Sequence, residues 1–513
     1  MSTATTAHSA TAPLTAHGHE ILFPPLPYDI NPRADSAVSN PDGQKPIHAS
    51  TSGKDATRKK VCGEVFGEDY DTIRGLAGEI KQHALDHLDH YLEQFVDRAA
   101  AAGVQVHFAA TGDEANAICV DIARRNDCRL CVKSKSMVTE ETQLLPALAH
   151  AGIETIETDL GEFILQLDND VPSHIVQPMI HKNRASVGRT FERELGVPYT
   201  DDPNRLVSIA HDYLRQKYLH ADMGISGGNF LVAETGSLVI CTNEGNGRLC
   251  TSVPPIHVAF VGIEKLVPRL EHLNVLLKLL ARSSTGQPLT VYTHIMTGPQ
   301  RGVEPDGPRQ MHVILVDNGR SRILESETRE LLRCIRCGAC LNACPVYRNI
   351  GGHSYGAVYS GPIGALITPL FRGLANFKDL PHASSLCGAC YVACPVKINI
   401  PKYLIHLRER MVDGGLSTLG DRLFHRVWGW SLRYPLTYRL GGWLQKIQFR
   451  RLARRNGSLT PNKPSPRAAY ECRGWVTKLS GKFSGWTSQR DMPSPTPQSF
   501  RHWWRKREAG HGE

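Results

Sequence analysis

Two cysteine-rich blocks constrain the fold of this 513-residue chain more than any other feature of its sequence. The first block places Cys334, Cys337, Cys340 and Cys344 in the spacing C-x2-C-x2-C-x3-C and is followed by Pro345. Three thiolates spaced C-x2-C-x2-C surround one face of an iron-sulfur cube, and the fourth cysteine ligates a different cluster in two-cluster ferredoxins. The first block therefore predicts an iron-sulfur protein.

The second block repeats the pattern with one cysteine missing. Ser384 stands where a full run would have its first cysteine. If the last cysteine of each block crosses over, the ligand sets are Cys334, Cys337, Cys340 and Cys394 for cluster one, and Cys344, Cys387 and Cys390 for cluster two. Cluster two is then either a [3Fe-4S] cluster or a [4Fe-4S] cluster whose fourth iron binds Ser384, another cysteine, water or a partner.

An alternative for the two blocks is a zinc ribbon or a group of structural thiols. Zinc ribbons are built from two C-x2-C pairs and lack the Cys-Pro ending found here. Half of the chain's 14 cysteines lie in the two blocks. That clustering indicates metal ligation in a reducing compartment and not a disulfide framework.

The start of the chain carries no signal for secretion. Its first 32 residues contain no Lys or Arg and no apolar run, so they lack the charged and apolar regions of a signal peptide. The longest apolar stretches, such as residues 361–371, are shorter than the roughly 20 residues that span a bilayer. We therefore expect a cytoplasmic protein.

Composition and pattern divide the chain into four predicted regions. Residues 1–60 are rich in Ala, Thr, Ser, Pro and Gly without periodicity, which predicts a disordered leader. Residues 65–325 predict an α/β domain, and residues 326–410 predict helices that carry the cysteine loops. Residues 411–513 form a basic tail that contains all 7 Trp of the chain. The predicted fold class is α/β followed by an all-α ferredoxin-like module.

Short apolar segments alternate with helical patterns between residues 65 and 325. Strands are predicted at residues 104–108, 130–133, 153–157, 230–242, 257–264 and 312–317, the fourth being folded into a hairpin at Gly236. Helices are predicted at residues 72–103, 114–125 and 140–151. Such alternation indicates right-handed βαβ units and a largely parallel sheet with helices on both faces.

Four charged residues are candidates for substrate binding or catalysis. Lys133 and Lys135 follow a predicted strand, and in open parallel sheets ligands bind at the carboxyl ends of strands. Arg248 and Glu234 lie in or near loops rich in Gly and Asn, where the backbone can approach a ligand closely. A small carboxylate bound here would meet Lys133, Lys135 and Arg248. The alternatives are a solvated strand end and ordinary tight turns.

The basic tail contains Arg450, Arg451, Arg454 and Arg455, with Trp443 before them. Residues 401–513 hold 22 Lys and Arg against 7 Asp and Glu. Because no pattern of base recognition accompanies the charge, we expect no nucleic-acid binding. The tail is predicted to be a docking segment for an acidic partner or a solvated basic surface, with peripheral membrane contact at most.

Several motifs resemble the iron-sulfur subunit of the bacterial lactate utilization system, the lactate utilization protein B family. The resemblance spans about residues 65–410. In the cysteine module it is carried by residues 334–348, Gly351-Gly352-His353-Ser354-Tyr355-Gly356, Gly361-Pro362-Ile363-Gly364-Ala365 and residues 385–390. Upstream it is carried by residues 133–141, 221–226, 233–236 and 243–247.

This resemblance implies an electron-transfer subunit with two [4Fe-4S] clusters. The subunit would act in a complex that oxidises L-lactate to pyruvate, with a cysteine-rich subunit and a smaller protein related to the α/β module. Neither the resemblance nor the sequence identifies the electron acceptor. The α/β module would be a lactate-utilization domain, similar in fold to sugar-phosphate isomerases and CoA transferases.

Two other functions compete with electron transfer. In one, the α/β domain is an enzyme for an acyl or phosphorylated substrate, the clusters are structural, and Lys133 and Glu234 carry the activity. In the other, the chain is a binding module with degenerate clusters, which the seven retained cysteines disfavour.

Overall fold

The computed structural model describes residues 20–302, 304–455, 460–461, 472, 474–488, 490–496 and 498–510. Residues 1–19 of the predicted leader lie outside this part. The chain divides into two compact units, of which the first ends at Leu416 and the second begins at Ser417. The predicted boundary between residues 325 and 326 therefore does not separate two units, because the sheet and the cysteine module pack together in the first one.

Ten strands form two sheets in the described part of the first unit. They are β1 (Gln105–Ala109), β2 (Leu130–Lys133), β3 (Glu154–Glu157), β4 (Met223–Gly227), β5 (Phe230–Val232), β6 (Ser237–Thr242), β7 (Ile256–Gly262), β8 (Leu266–Val267), β9 (Tyr292–Met296) and β10 (Gln310–Val316). The larger sheet has the order β1-β10-β7-β4-β2-β3, with every neighbouring pair parallel. The smaller sheet has the order β8-β5-β6-β9.

The larger sheet confirms the predicted βαβ alternation. All seven residues of β7 are buried, as expected for a central strand that is covered on both faces. Separate apolar clusters lie on the two faces, one built around Cys119 and Leu148 and the other around Phe95 and Val313. The antiparallel hairpin of β5 and β6 also turns at Gly236, as predicted.

Helices make up most of the remaining first unit. Before the cysteine module they are Asn31–Val38, Pro41–Phe66, Tyr70–Asp86, Leu88–Ala101, Gly112–Arg125, Met137–Glu141, Leu144–His150, Leu160–Leu167, Arg184–Leu195, Pro203–His220, Asn246–Ser252, Leu270–Thr285 and Arg320–Leu324. In the module they are Ala339–Ala343, Pro345–Ile350, Gly361–Arg372, Ala389–Ala393 and Ile400–Asp413. Two predicted helices are each divided in the structure, at His87 (φ −123°, ψ 37°) and at the left-handed Gln143 (φ 60°).

The prediction of a disordered leader is wrong for residues 20–60. A helix spans Pro41–Phe66, and its amino end is capped by Asn40, whose side chain accepts the N–H of Gly43. The helix packs against Leu270–Thr285 and against the short helices that follow Gly338. Ile47 is buried in the same apolar core as the cysteine module. Packing against this core therefore orders a segment whose composition alone favours disorder.

A buried ionic network joins the larger sheet to the cysteine module. Arg320 is fully buried, and its Nε donates to Glu264 Oε2 at 2.6 Å. Its two terminal nitrogens donate to both carboxylate oxygens of Glu141, each at 2.9 Å. Tyr359, which lies between the two cysteine blocks, donates its hydroxyl to Glu141 as well. One guanidinium is therefore the closest ionic partner of two buried carboxylates from the sheet domain.

The second unit is helical and carries exposed aromatic side chains. Its described elements are the helices Leu419–Arg433, Pro435–Arg455 and Phe500–Gly510, and the antiparallel pair β11 (Trp475–Val476) and β12 (Met492–Pro493). The exposed tryptophans are Trp428, Trp430, Trp443, Trp486, Trp503 and Trp504. None of the helices in the described parts of the chain has the length and apolar character to cross a membrane.

We expect Arg320→Met to lower the free energy of unfolding by about 3–5 kcal/mol, because it removes the closest ionic partner of the buried Glu141 and Glu264. The shift in the urea midpoint of the first unit, followed by circular dichroism, measures this loss. Arg125→Met is the control, since Arg125 pairs with Asp121 on an exposed helix face and its loss should change stability by less than about 0.5 kcal/mol. Equal midpoints for the two variants would contradict the role given to the network.

Candidate functional site

The first cysteine block forms a tight loop that enters a short helix. Gly338 has φ 75°, in the left-handed region that favours glycine, and the helix Ala339–Ala343 begins directly after it. This turn lets the N–H of Ala339 donate to the sulfur of Cys337. Arg336 is also left-handed, with φ 59°, which is uncommon for a residue with a side chain. The packing around the loop therefore holds it in a conformation that its residues do not prefer.

The second block repeats this geometry fifty residues further along the chain, so that Gly388 corresponds to Gly338. Gly388 has φ 81° and Leu386 has φ 54°, matching Gly338 and Arg336. The helix Ala389–Ala393 follows in the same way. The same offset places Ser384 in the position of Cys334, so the structure gives the missing cysteine a defined place in the repeat.

The last cysteine of each block receives a backbone hydrogen bond. Tyr347 donates its N–H to Cys344 Sγ at 3.5 Å, and Ile398 donates its N–H to Cys394 Sγ at 3.4 Å. Both donors lie in the segment that follows the Cys-Pro pair. Such N–H groups favour the thiolate and are among the features that set a cluster's potential.

The structure brings the seven cysteines together as two adjoining groups. The helices Ala339–Ala343 and Ala389–Ala393 pack against each other and carry Cys340 and Cys390 towards the contact. Electrostatic interactions join one group, Cys334, Cys337, Cys340 and Cys394. They also join Cys344, Cys387 and Cys390, and Cys340 interacts with Cys390 where the two groups meet. The grouping agrees with crossed ligation, and the ligand sets themselves stay a prediction.

The thiols fit an inorganic cluster better than a single metal ion. Cys337, Cys340, Cys344, Cys390 and Cys394 are buried, Cys334 is partly buried and Cys387 is exposed. Burial raises the pKa of Cys390 to about 12 and that of Cys394 to about 11, so these thiolates need a bound cation to form. Among the described residues no three cysteine sulfurs lie within 4.8 Å of one another. Zinc, with sulfur at about 2.3 Å, would hold its ligand sulfurs roughly 3.8 Å apart.

A cavity of about 360 Å³ lies at the carboxyl ends of β2, β4 and β7 and extends to the first cysteine block. Its lining includes Lys135, Asn229 and Lys265 from the sheet domain and Arg336 and Cys337 from the cysteine loop. The Nζ of Lys135 is buried, and the described residues offer it no hydrogen-bond partner. Lys135 therefore lies where the sequence places a ligand site.

The other three candidate residues do not line this cavity. Lys133 is fully buried and donates to Glu157 Oε1 at 2.7 Å, so its charge is balanced inside the protein. Glu234 accepts the N–H of Leu270 at 3.0 Å and thereby caps the helix Leu270–Thr285. Arg248 is exposed on the short helix Asn246–Ser252. These positions do not support the hypothesis that Lys133 and Glu234 carry an enzymatic activity.

Sequence reasoning missed three residues in or near the cavity. Lys265 and Ser284 line it, and neither belongs to a motif that marks a ligand site. Lys54 lies in the segment predicted to be disordered, yet its Nζ is buried without a partner among the described residues. Burial and the nearby charge of Lys135 lower the pKa of Lys54 to about 8. Its place beside Lys135 follows only from the packing of the helix Pro41–Phe66.

Comparison with known proteins identifies both modules of the first unit. The LUD domain model matches residues 92–316, and the 4Fe-4S dicluster domain model matches residues 330–398, which contain all seven block cysteines. A duf162 family protein from Deinococcus radiodurans, known from a crystal structure, covers 45% of this chain and 98% of its own at 16% identity. Its TM-score of 0.25 carries no argument about the fold.

Full-length relatives extend the similarity beyond these two modules. Lactate utilization protein B of Bacillus licheniformis is 43% identical over 443 residues, covering 86% of this chain and 89% of the relative. The Bacillus velezensis protein of the same name is 43% identical over 460 residues, with coverages of 89% and 92%. The Geobacillus kaustophilus protein is 44% identical over 439 residues, with coverages of 85% and 88%. Because the similarity covers nearly the whole length of these relatives, this chain belongs to the lactate utilization protein B family.

Proposed function

We propose that this chain is the iron-sulfur electron-transfer subunit of a cytoplasmic complex that oxidises L-lactate to pyruvate. The relatives are named for lactate utilization, and a dicluster domain supports electron transfer. One observation carries the proposal: a cavity of the sheet domain reaches Cys337 in the first cysteine group, and the helix that carries Cys390 of the second group packs against the helix that carries Cys340. That arrangement suits the passage of electrons from a substrate to a pair of neighbouring carriers.

Oxidation of L-lactate to pyruvate releases two electrons and two protons. When bound, two iron-sulfur clusters supply one-electron acceptor sites, so an adjacent pair matches the two electrons of the substrate. A side chain from outside the two cysteine blocks holds the second cysteine loop in place. Arg74 reaches from the helix Tyr70–Asp86 and donates to the carbonyls of Cys394 at 2.9 Å and Tyr391 at 2.8 Å. Its positive charge beside Cys394 favours the thiolate.

The second cysteine group is placed to face a partner. Cys387 is exposed, and the neighbouring Tyr391 and Val392 are exposed apolar residues on the helix Ala389–Ala393. An exposed ligand edge shortens the distance to an external one-electron acceptor. We assign cluster two to the exit side and cluster one to the cavity side. The proposed partners are a cysteine-rich subunit and a smaller protein with a lactate-utilization domain, and the acceptor is a further redox carrier.

Adding L-lactate under anaerobic conditions to the assembled three-protein complex is expected to bleach the broad visible absorbance of the clusters. Bleaching follows because electrons from lactate reduce the clusters, and stopped-flow absorbance spectroscopy measures it. Cys340→Ser should abolish both the bleaching and growth on lactate, because Cys340 is a predicted ligand at the contact of the two groups. Cys472→Ser, outside both blocks, is the matched control. Clusters that stay oxidised with lactate and all three proteins present would refute the proposal.

Ser384 decides the composition of cluster two. It is partly buried, and its hydroxyl accepts the N–H of Leu386 at 3.1 Å. This bond and the fifty-residue offset place Ser384 at the start of the loop that carries Cys387. A serine there provides an oxygen ligand or leaves one iron site open. We propose two clusters, of which the second is a [4Fe-4S] cluster with a ligand other than cysteine or a [3Fe-4S] cluster.

An iron count on anaerobically purified chain distinguishes these forms. About eight irons per chain are expected for two cubes, and about seven for a cube and a [3Fe-4S] cluster. If the count is about seven, Ser384→Cys should raise it to about eight and remove the EPR signal of the oxidised [3Fe-4S] cluster. Ser39→Cys, at an exposed position after the helix Asn31–Val38 and outside the cysteine module, should leave the count unchanged. A count of four or less in intact protein would exclude a pair of clusters.

A further inference from the structure

We propose that the cavity beside the first cysteine block binds a small 2-hydroxycarboxylate, and that Arg336 links the occupancy of this site to the redox state of cluster one. The inference rests on the proposed function for the choice of ligand class. It is argued from a set of buried donor and acceptor atoms that line one cavity and have no hydrogen-bond partner among the described residues. At about 360 Å³ the cavity lies within the roughly 300–1,000 Å³ range of small-molecule sites.

Three donors in the cavity lack partners among the described residues: Lys135 Nζ, Arg336 Nη1 and Ser284 Oγ. All three atoms are buried, so water does not replace the missing partner at the surface. Two of the groups are cationic, and an anion that accepts from both would remove the cost of leaving them unpaired. A carboxylate has the charge and the two oxygens for this role.

One acceptor in the cavity is unpaired as well. Glu264 Oε2 accepts from Arg320 at 2.6 Å, whereas Oε1 has no hydrogen bond and lies 3.7 Å from Arg336 Nη2. Arg320 and other cations lower the pKa of Glu264 to about 2 against the effect of burial, so this carboxylate is charged. It can therefore accept a hydrogen bond but cannot donate one. A hydroxyl next to the ligand's carboxylate would supply the donor that Oε1 lacks.

The other acids at the cavity already have partners. Asp159 accepts the N–H groups of Gly161 and Glu162 at 3.1 and 3.3 Å. Glu244 accepts the N–H of Leu160 at 3.1 Å. Burial raises the pKa of both carboxyls, and that of Glu244 reaches about 7, so the negative charge of Glu244 is reduced near neutral pH. Both acids also interact electrostatically with Lys135, but neither accepts a hydrogen bond from it, so the Lys135 donor is available to a ligand.

Arg336 belongs to both the cavity and the cysteine loop. It stands between Cys334 and Cys337, and its guanidinium lies 4.3 Å from the centroid of the Tyr359 ring, which fixes its direction. A carboxylate bound to Arg336 would offset a positive charge beside cluster one. One-electron reduction of that cluster adds a negative charge beside the same site. Reduction should therefore weaken carboxylate binding, and by reciprocity carboxylate binding should lower the cluster's potential.

The test uses the isolated full chain with its clusters loaded, and a ligand that cannot be turned over. 2-Hydroxy-2-methylpropanoate has no hydrogen on C2, so it cannot be oxidised to a 2-oxo acid. 2-Methylpropanoate is its match without the hydroxyl. Anaerobic isothermal titration calorimetry compares both ligands with the oxidised chain and with the chain reduced by dithionite.

We expect the hydroxylated ligand to bind the oxidised chain about tenfold more tightly than 2-methylpropanoate, and about tenfold more tightly than it binds the reduced chain. For one electron that difference equals a fall of about 59 mV in the cluster's midpoint potential at saturating ligand. Lys135→Gln should weaken binding at least tenfold, since it removes a cation without breaking a hydrogen bond. Arg336→Gln should reduce the redox difference, because it removes the charge that the ligand would offset.

The control is Lys397→Gln, which removes a charge on the loop of Cys394 but lies outside the cavity and pairs with Asp71 at 2.7 Å. This variant should change the absolute potential and leave both the affinity and the ligand-dependent shift intact. Cluster absorbance and iron content report that each variant is folded and loaded.

No binding to the isolated chain, or binding that Lys135→Gln leaves unchanged, would overturn the site. Equal affinity for the two ligands would overturn the hydroxyl contact, and equal affinity of the oxidised and reduced chains would overturn the link to the cluster. None of these outcomes depends on lactate turnover by the complex. A complex whose clusters bleach with lactate while the isolated chain binds no carboxylate would therefore contradict this inference and leave the proposed function standing.

Discussion

The contact between two short helices, Ala339–Ala343 and Ala389–Ala393, organises the first unit. It brings thiols from two distant segments together, and five of those cysteines belong to the same apolar core as Phe230 and Leu276 of the sheet domain. Metal ligation by both segments, as proposed, would couple the loading of the clusters to the packing of this core. The cysteine module is thus a part of the domain core and not an appendage to it.

This shared core explains why a single compact unit contains the LUD and dicluster regions. The helix Pro41–Phe66 packs on both of them, and Arg320 ties the carboxyl edge of the larger sheet to Tyr359 through Glu141. The cysteine loop then closes one side of the cavity at that edge. A ligand at the sheet and a carrier at the loop would be neighbours as a result of the packing, without any moving element.

Much of this architecture follows from local pattern. The bounds of β2 match the predicted strand, and the turn at Gly236 follows from a glycine between two apolar runs. Lys133 and Lys135 look equivalent in the sequence, but they differ because Glu157 from β3 neutralises only Lys133. That difference depends on which strands are neighbours in the sheet, and a single sequence does not reveal the strand order. The composition of residues 20–60 predicts disorder for a related reason. Small polar residues become ordered there only because the segment packs against another part of the chain.

The exposure of Cys387 has a consequence for how the protein tolerates air. All seven block cysteines lie in the described part of the chain, and Cys387 is the exposed member of the set. Dioxygen and chelators reach a cofactor through solvent-facing ligands first, so with the proposed ligand sets damage would begin at the second cluster while the first stays shielded by the core. A chain handled aerobically would then keep one carrier and lose the other, and a two-electron pathway would be reduced to a one-electron store.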